Sequence, residues 1–330
     1  MKIGIIGIVQ NPSRRLTSHN AGWTYALRSQ LRNKYNTDVD ILTEKDEWND
    51  YDILYITEGV NYRHNVWNLF GGVSPKLVER INKLLEYKRG DLYFYGDQAP
   101  DYMNLVKSRN LLYFEDLLFP PIKAVTTIVE TDNIVIGDSH AISVYEDDYN
   151  IQRHDGQTLH GALRKGLHTY LDKDKVYNKV RFYFGNIDVR HHLCRLYPDK
   201  DRRIHEIKVL VGDYLYQCEK LIKNGNCKQI EIVSLLPIEN ESRKIPKTGY
   251  YDGKPFWGSQ NDRIEAMTIF NVYMHKQLIL NKYISIVLWD KFESSIELNF
   301  KNMEQGQSVH LAPHSYMHNF INDKKNTLWG

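Results

Sequence analysis

The chain has 330 residues, a net charge of +2, 42% hydrophobic and 25% charged residues. That balance excludes a disordered chain and a histone-like polycation. The length suits two domains, each able to bury a core without disulfides or metal. A local basic face stays compatible with so small a net charge, because the sum averages over the whole surface.

The N-terminal run Ile3 to Val9 is short and broken by Gly4 and Gly7. It reads as a first β-strand rather than a signal peptide, since no basic region or cleavage site frames it. Strands are expected at Lys2–Val9, Asp38–Leu42, Asp52–Thr57 and Asp91–Tyr95, with helices near Ala21–Lys34 and Pro75–Lys88. Ser74 can cap the second helix and Pro75 can fill its first turn, where a missing N–H is harmless. Leu77, Ile81, Leu84 and Leu85 then repeat at helical spacing. Alternation of this kind predicts a parallel sheet covered by helices.

Phe119-Pro120-Pro121 punctuates the chain, and Ile122–Val129 reads as a strand leaving the first unit. A second α/β unit opens at Asn133–Gly137. Its further strands are expected at Val180–Gly185, Gln229–Leu235 and Ile284–Leu288, with a helix over Asp262 to Leu280. The predicted fold is α/β, two Rossmann-like or flavodoxin-like three-layer units, with domains 1–130 and 131–330. No stretch is apolar for long enough to span a bilayer, so no membrane is expected among the partners. Cys194, Cys218 and Cys227 are odd in number and lack Cys-x-x-Cys spacing. This argues against a disulfide framework or a zinc site and for a reducing, cytoplasmic location. No cofactor is expected.

Three strings carry chemistry. Asn133–Gly137 runs into Asp138-Ser139-His140. Val180–Gly185 runs into Asn186-Ile187-Asp188, with Arg190, His191 and His192 just beyond. Ser308-Val309-His310-Leu311 lies near the end. A serine after a buried strand projects its hydroxyl from the carboxyl edge of a sheet, where α/β proteins bind ligands. It needs a base, for which His310 is the candidate and His314 the second choice. The oxyanion needs donors, and Asn186 offers an amide. Arg190 can clamp a phosphate or carboxylate, or pair internally with Asp188. The neighbours His191 and His192, read on a strand, point to opposite faces and suggest no metal.

The order Ser139, Asn186, His310 resembles the SGNH or GDSL hydrolase family over residues 132 to 316. The resemblance implies Ser139 as nucleophile, His310 as base, and Asn186 with the backbone N–H groups of Ser139 and Gly161 as the oxyanion hole. Gly156 stands close to Gly161 as an alternative. Substrate contacts are expected from Asp138, His140, Asp188 and Arg190. The strings Gly137-Asp138-Ser139-His140 and Phe184-Gly185-Asn186-Ile187-Asp188-x-Arg190-x-His192 also resemble an SGNH-like branch encoded near polysaccharide genes, in which a glutamate commonly stands at the Asn186 position. The family's aspartate three residues before the histidine is Gln307 here. Glutamine can orient an imidazole but supplies no charge.

The first unit carries a second resemblance. Asn49-Asp50-Tyr51-Asp52, Phe70-Gly71-Gly72, Leu92-Tyr93-Phe94-Tyr95-Gly96-Asp97 and Pro121-Ile122-Lys123-Ala124-Val125 look like the N-terminal domain of phage DNA β-glucosyltransferases. It covers about residues 1 to 127. It implies duplex DNA with modified bases as partner, host cytoplasm as location, and Asp97 as general base on a hydroxymethyl group. The family's sugar-donor residues have no counterpart in residues 130 to 330. Arg14, Arg15, His19, Trp23, Arg63, His64, Trp67, Lys107 and Arg109 interleave charge with aromatic surface, a mixture that suits phosphate contacts and base stacking.

Three functions follow. The first is an acyl hydrolase or O-acyltransferase acting on a hydroxyl-bearing or sugar-decorated substrate, with an unidentified small acyl or sugar donor. The second is a DNA-modifying glycosyltransferase using Asp97. The third is a non-catalytic nucleic-acid-binding protein.

Overall fold

A computed structural model describes residues 1–6, 21–42, 46–57, 91–95, 123–125, 128–236, 256–289 and 311. The chain divides into two units, Met1–Glu130 and Thr131–Gly330.

The first unit holds a five-stranded sheet of β1 (Ile3–Ile6), β2 (Val39–Leu42), β3 (Ile53–Thr57), β4 (Asp91–Tyr95) and β5 (Lys123–Val125), in the order β2-β1-β3-β4-β5. Every pairing in it is parallel. β1 is buried at all four positions, as a central strand covered on both faces must be. Helix α1 (Ala21–Tyr35) buries Ala26, Leu27 and Leu31, and Gln30 accepts the Tyr95 hydroxyl at 3.1 Å. Its end is tied down by Arg28, which donates to the Val39 carbonyl at 3.0 Å, and Lys34, which donates to the Ile128 carbonyl at 3.0 Å. The expected helix Pro75–Lys88 lies outside the described residues.

The second unit repeats the plan. Its strands are β6 (Asn133–Gly137), β7 (Asn150–Arg153), β8 (Tyr177–Tyr183), β9 (Cys227–Val233) and β10 (Ile284–Val287), in the order β10-β9-β8-β6-β7 and again all parallel. Counted from its own first strand, this is the same 2-1-3-4-5 order as the first unit, the flavodoxin-like arrangement. Helices α2 (Leu159–Lys165), α3 (Lys200–Lys223) and α4 (Gln260–Leu278) share one core cluster with Ile134, Ile136, Val180, Phe182, Phe184, Ile230 and Ile232. These strand residues alternate, so they line one face of the sheet. α3 buries Arg203, Ile207, Leu210, Val211, Tyr214, Cys218 and Leu221 along one stripe, and Asp199 caps its start. Ser259 and Asp262 form a capping box at the start of α4.

The opposite face carries charge. Arg181 of β8 pairs with Glu231 of β9 at 2.6 Å and with Glu146 at 2.5 Å, and donates to the Val144 carbonyl at 2.8 Å. Its guanidinium lies over the Tyr149 ring, 4.5 Å from the centroid. Burial works to raise the Glu231 pKa, but Arg181, Lys179 and the Tyr149 hydroxyl together hold it below the usual carboxylate range. The arrangement is a buried cation held by two carboxylates, a carbonyl and an aromatic face.

Two departures from expectation concern position. β8 starts three residues earlier than expected and ends at Tyr183. The segment from Asp188 to Leu193 is a π-helical turn, not strand. His191 is therefore buried against Phe256, with ring centroids 6.0 Å apart, while His192 is half-buried on another side.

Candidate active site at the carboxyl edge of the second sheet

In a sheet of this order, ligands bind at the switch point between the first and third strands. Those strands are β6 and β8, and each is followed within three residues by an expected site residue. Gly137 of β6 faces Tyr183 of β8 in the ladder, and the Asp138 N–H donates to the Tyr183 carbonyl at 3.1 Å. A Cβ on Gly137 would stand 2.4 Å from that carbonyl oxygen, so no other residue lets the two strands close here. Ser139 follows, buried at 4% exposure. Gly185, at φ +117°, then bends the chain from β8 into Asn186, a conformation that disfavours any residue with a side chain.

The turn that carries Ser139 is fixed by Asp138. Its Oδ1 accepts from the His140 backbone N–H at 2.8 Å and faces His140 Nδ1 at 2.7 Å. The Ala141 N–H closes the turn on the Asp138 carbonyl at 3.0 Å. Asp138 and His140 were expected to contact substrate. They bind each other, both buried, and the pairing turns the remaining imidazole nitrogen away from the carboxylate. Among the described residues, Asp138 Oδ2 has no hydrogen-bond partner.

Asn186 is oriented from the next strand. The Leu236 N–H, three residues past β9, donates to its Oδ1 at 3.3 Å. Because that neighbour is a donor, the facing atom must be the oxygen, and the NH2 end points elsewhere. Asn186 Nδ2 has no partner among the described residues. An amide held by its oxygen, with its donor end unengaged, has the form an oxyanion donor requires.

Gly161 is a correction. It lies inside α2, and its N–H donates to the Thr158 hydroxyl at 2.9 Å as part of the helix cap. The two preceding N–H groups, of Leu159 and His160, donate to the Asp188 carboxylate at 2.7 and 3.2 Å. The start of α2 is satisfied from within, so Gly161 offers no donor to an oxyanion. Asp188 is corrected by the same contacts. Both its oxygens accept these N–H groups and join α2 to the loop after β8. Burial pushes its pKa up to about 6, against those two N–H groups, and the nearby Asp138 adds to the rise. Arg190 does not pair with Asp188 but donates through Nε to the Asn186 carbonyl at 3.2 Å, bracing the same loop.

His310, Gln307, His314 and Asp97 lie outside the described residues, as do the Phe70-Gly71-Gly72 string and the side chains of the interleaved basic and aromatic set. Leu311, next to His310, is buried at 2% exposure.

Three groups escaped the sequence reading. Leu236 orients Asn186. Trp289, just past β10, donates to the Ser234 carbonyl at 3.0 Å and packs 6.0 Å from the Tyr183 ring. Tyr183 itself is fully buried, and no partner of its hydroxyl meets full hydrogen-bond geometry among the described residues. Alternation holds the only clue to it: Phe182 and Phe184 face the helices, so the tyrosine between them must face the other way. On the helix side, a cavity of about 250 Å³ is lined by His160, Asp188, His192, Tyr197, Glu206 and Asp213 among others. Burial, helped by Arg195 and His160, lowers the His192 pKa.

Among the described residues, no three His, Cys, Asp or Glu side chains form a group able to hold a metal ion, and no helix is long and apolar enough to cross a membrane. The three cysteines are free and buried. No protein-family model matches this sequence, and no curated protein matches it.

Proposed function

We propose that the second unit is a serine-dependent acyl enzyme of SGNH type, a hydrolase or O-acyltransferase. The observation that carries this reading is the placement of Ser139 and Asn186 just past the carboxyl ends of adjacent parallel strands, with the Asn186 amide oxygen held by the Leu236 N–H. Ser139 Oγ would add to an acyl carbonyl while its proton passes to the His310 imidazole. Asn186 would stabilise the negative oxygen. Collapse of the tetrahedral intermediate would expel the leaving alcohol, which recovers the proton from His310. Water or an acceptor hydroxyl would then take the acyl group from Ser139 by the same path in reverse.

The acceptor we infer is a hydroxyl-bearing or sugar-decorated group, with a hydroxymethylated base of duplex DNA as the leading candidate; Asp97 is the base of the alternative reading, a DNA-modifying glycosyltransferase. The first unit's resemblance supports that choice. Three free, buried thiols suit a reducing compartment, and the cytoplasm is the proposed location.

A fluorophosphonate probe tests the reading without knowledge of the substrate. Folded wild-type protein should be labelled at Ser139, and Ser139→Ala should lose the label with an unchanged melting temperature. Absence of label on the wild type, or equal labelling of Ser139→Ala, removes the proposal.

A further inference from the structure

We propose that the Tyr183 hydroxyl is a catalytic donor of this site, hydrogen-bonding the oxyanion that forms when Ser139 adds to an acyl carbonyl. The inference rests on the serine-enzyme reading above and deepens it.

Position is the first argument. Tyr183 is the last residue of β8 and the ladder partner of Gly137, and its carbonyl receives the Asp138 N–H. The serine turn and this tyrosine are therefore joined through the backbone. The ring lies on the sheet face opposite the helices, edge-on to His140 at 6.1 Å and tilted against Trp289 at 6.0 Å. Both neighbours belong to the carboxyl edge.

The second argument is the state of the hydroxyl. It is buried and no partner meets full hydrogen-bond geometry among the described residues, while the Asn186 and Trp289 side chains stand near it as donors. Buried polar groups almost always have a partner, and an exception calls for an explanation. Asp138 Oδ2 and Asn186 Nδ2 are unpartnered in the same way. Asp138, Asn186, Arg190 and Trp289 are the groups that surround the phenol. An acceptor, a donor and a hydroxyl without well-formed partners, on residues at one sheet edge, are what a polar reactant would complete.

Chemistry supplies the third argument. The expected oxyanion hole drew on Asn186 and the N–H groups of Ser139 and Gly161, and the start of α2 does not supply its share, since Thr158 and Asp188 take its N–H groups. The phenol beside Asn186 can fill that place. Burial raises its pKa well above the ordinary value, so it stays protonated and acts as a donor rather than a base. No proton moves in this role. The carbonyl π pair shifts onto oxygen as the Oγ–C bond forms, the phenol and the amide hold that oxygen, and the pair returns as the leaving group departs.

Tyr183→Phe keeps the ring and removes only the hydroxyl. The second-order rate constant for fluorophosphonate labelling should fall about 10²-fold, with the melting temperature unchanged or raised. Where an ester substrate such as p-nitrophenyl acetate is turned over, kcat should fall by a similar factor and KM should hold. Labelling within threefold of wild type overturns the inference while leaving the serine-enzyme reading intact. A slower rate accompanied by a lower melting temperature and a raised KM assigns Tyr183 to packing and also overturns it. A wild-type protein that takes no label defeats both proposals, and Ser139→Ala identifies that case.

Discussion

The two units share one strand order and differ in what they bury. In the first, the described strands are apolar with tyrosines at the margins. Tyr55 and Tyr93 stack at 5.0 Å, and the Tyr51 hydroxyl donates to Asp40 at 3.1 Å. In the second, the central strand carries Arg181 inside a cage of Glu146, Glu231 and Tyr149, and the carboxyl edge gathers Asp138, Ser139, His140, Asn186 and Tyr183. Topology fixes where a site can form, and in the second unit the side chains that follow β6 and β8 decide what chemistry is available there.

That contrast can be broken first at Asp97. If the first unit contributes its own base, Asp97→Ala should lower transfer to hydroxymethylated DNA by about 10²- to 10⁴-fold while leaving fluorophosphonate labelling of Ser139 unchanged. Unchanged transfer would leave all the chemistry in the second unit.

Next in size is the buried cage. Arg181→Met leaves Glu231 with Lys179 as its remaining cation and takes the buried partner from Glu146; removing one member of a buried pair typically destabilises by about 3–5 kcal/mol, and the half-buried Lys179 places this case toward the lower end. Denaturant unfolding should show the loss, and Arg181→Met combined with Glu231→Leu should recover most of it. Failure of the double variant to recover would mean that Arg181 holds the face by packing on Tyr149 rather than by charge.

The smallest effect sharpens the comparison through pH. The Asp188 pKa is raised from its ordinary value near 4 to about 6 in the folded chain. The folded state therefore keeps its proton to higher pH than the unfolded state. Stability from this group is fully present below about pH 4 and is lost as pH rises through 6, by about 2 to 3 kcal/mol. Asp155, also pushed up to about 6 by burial, acts in the same direction. Asp188→Asn cannot ionise, so unfolding free energy measured from pH 4 to 7 should fall less steeply than in wild type, with Asp155 accounting for the remaining slope. Identical slopes would show that Asp188 does not titrate in that window.

Much of the architecture was legible because strands covered on both faces write themselves as apolar runs. Ile3–Ile6, Ile53–Thr57 and Asn133–Gly137 each stand at or within a residue or so of an expected strand, apart from the longer run foreseen around β1. α4 was readable from its period and starts two residues before its expected position, behind Ser259. α3 was not foreseen, although its stripe from Arg203 to Leu221 is regular. Exposed Val209 and Tyr216 blur that stripe, and Arg203 occupies one of its buried positions. β7 was missed because Asn150 and Gln152 dilute an edge strand of four residues.

The site divided along another line. Ser139 and Asn186 could be found because each stands within three residues of a strand's end. The role of Asp188 could not, because it depends on contacts across 28 to 29 residues that no local pattern encodes, whereas Gly161 is engaged locally by Thr158, three residues before it. The direction of the Asn186 amide is set by Leu236, 50 residues away. The π-helical turn at Asp188–Leu193 was read as strand because Val189 and Leu193 satisfy either reading until the turn at Gly185 is seen in three dimensions.

The bond from the Asp138 N–H to the Tyr183 carbonyl has a consequence for how this unit tolerates change. Serine turn and tyrosine are adjacent rungs of one ladder, so their alignment is inherited from strand pairing rather than from loop packing. One extra residue inserted between Lys179 and Tyr183 would exchange the two faces beyond it, sending the phenol into the helix layer and a phenylalanine toward the nucleophile. Lengthening the connection between β7 and α2 by the same single residue would leave the reactive trio untouched. Drift in this family of shapes should therefore collect in the connections, while the spacing from Gly137 to Asn186 across the sheet stays frozen.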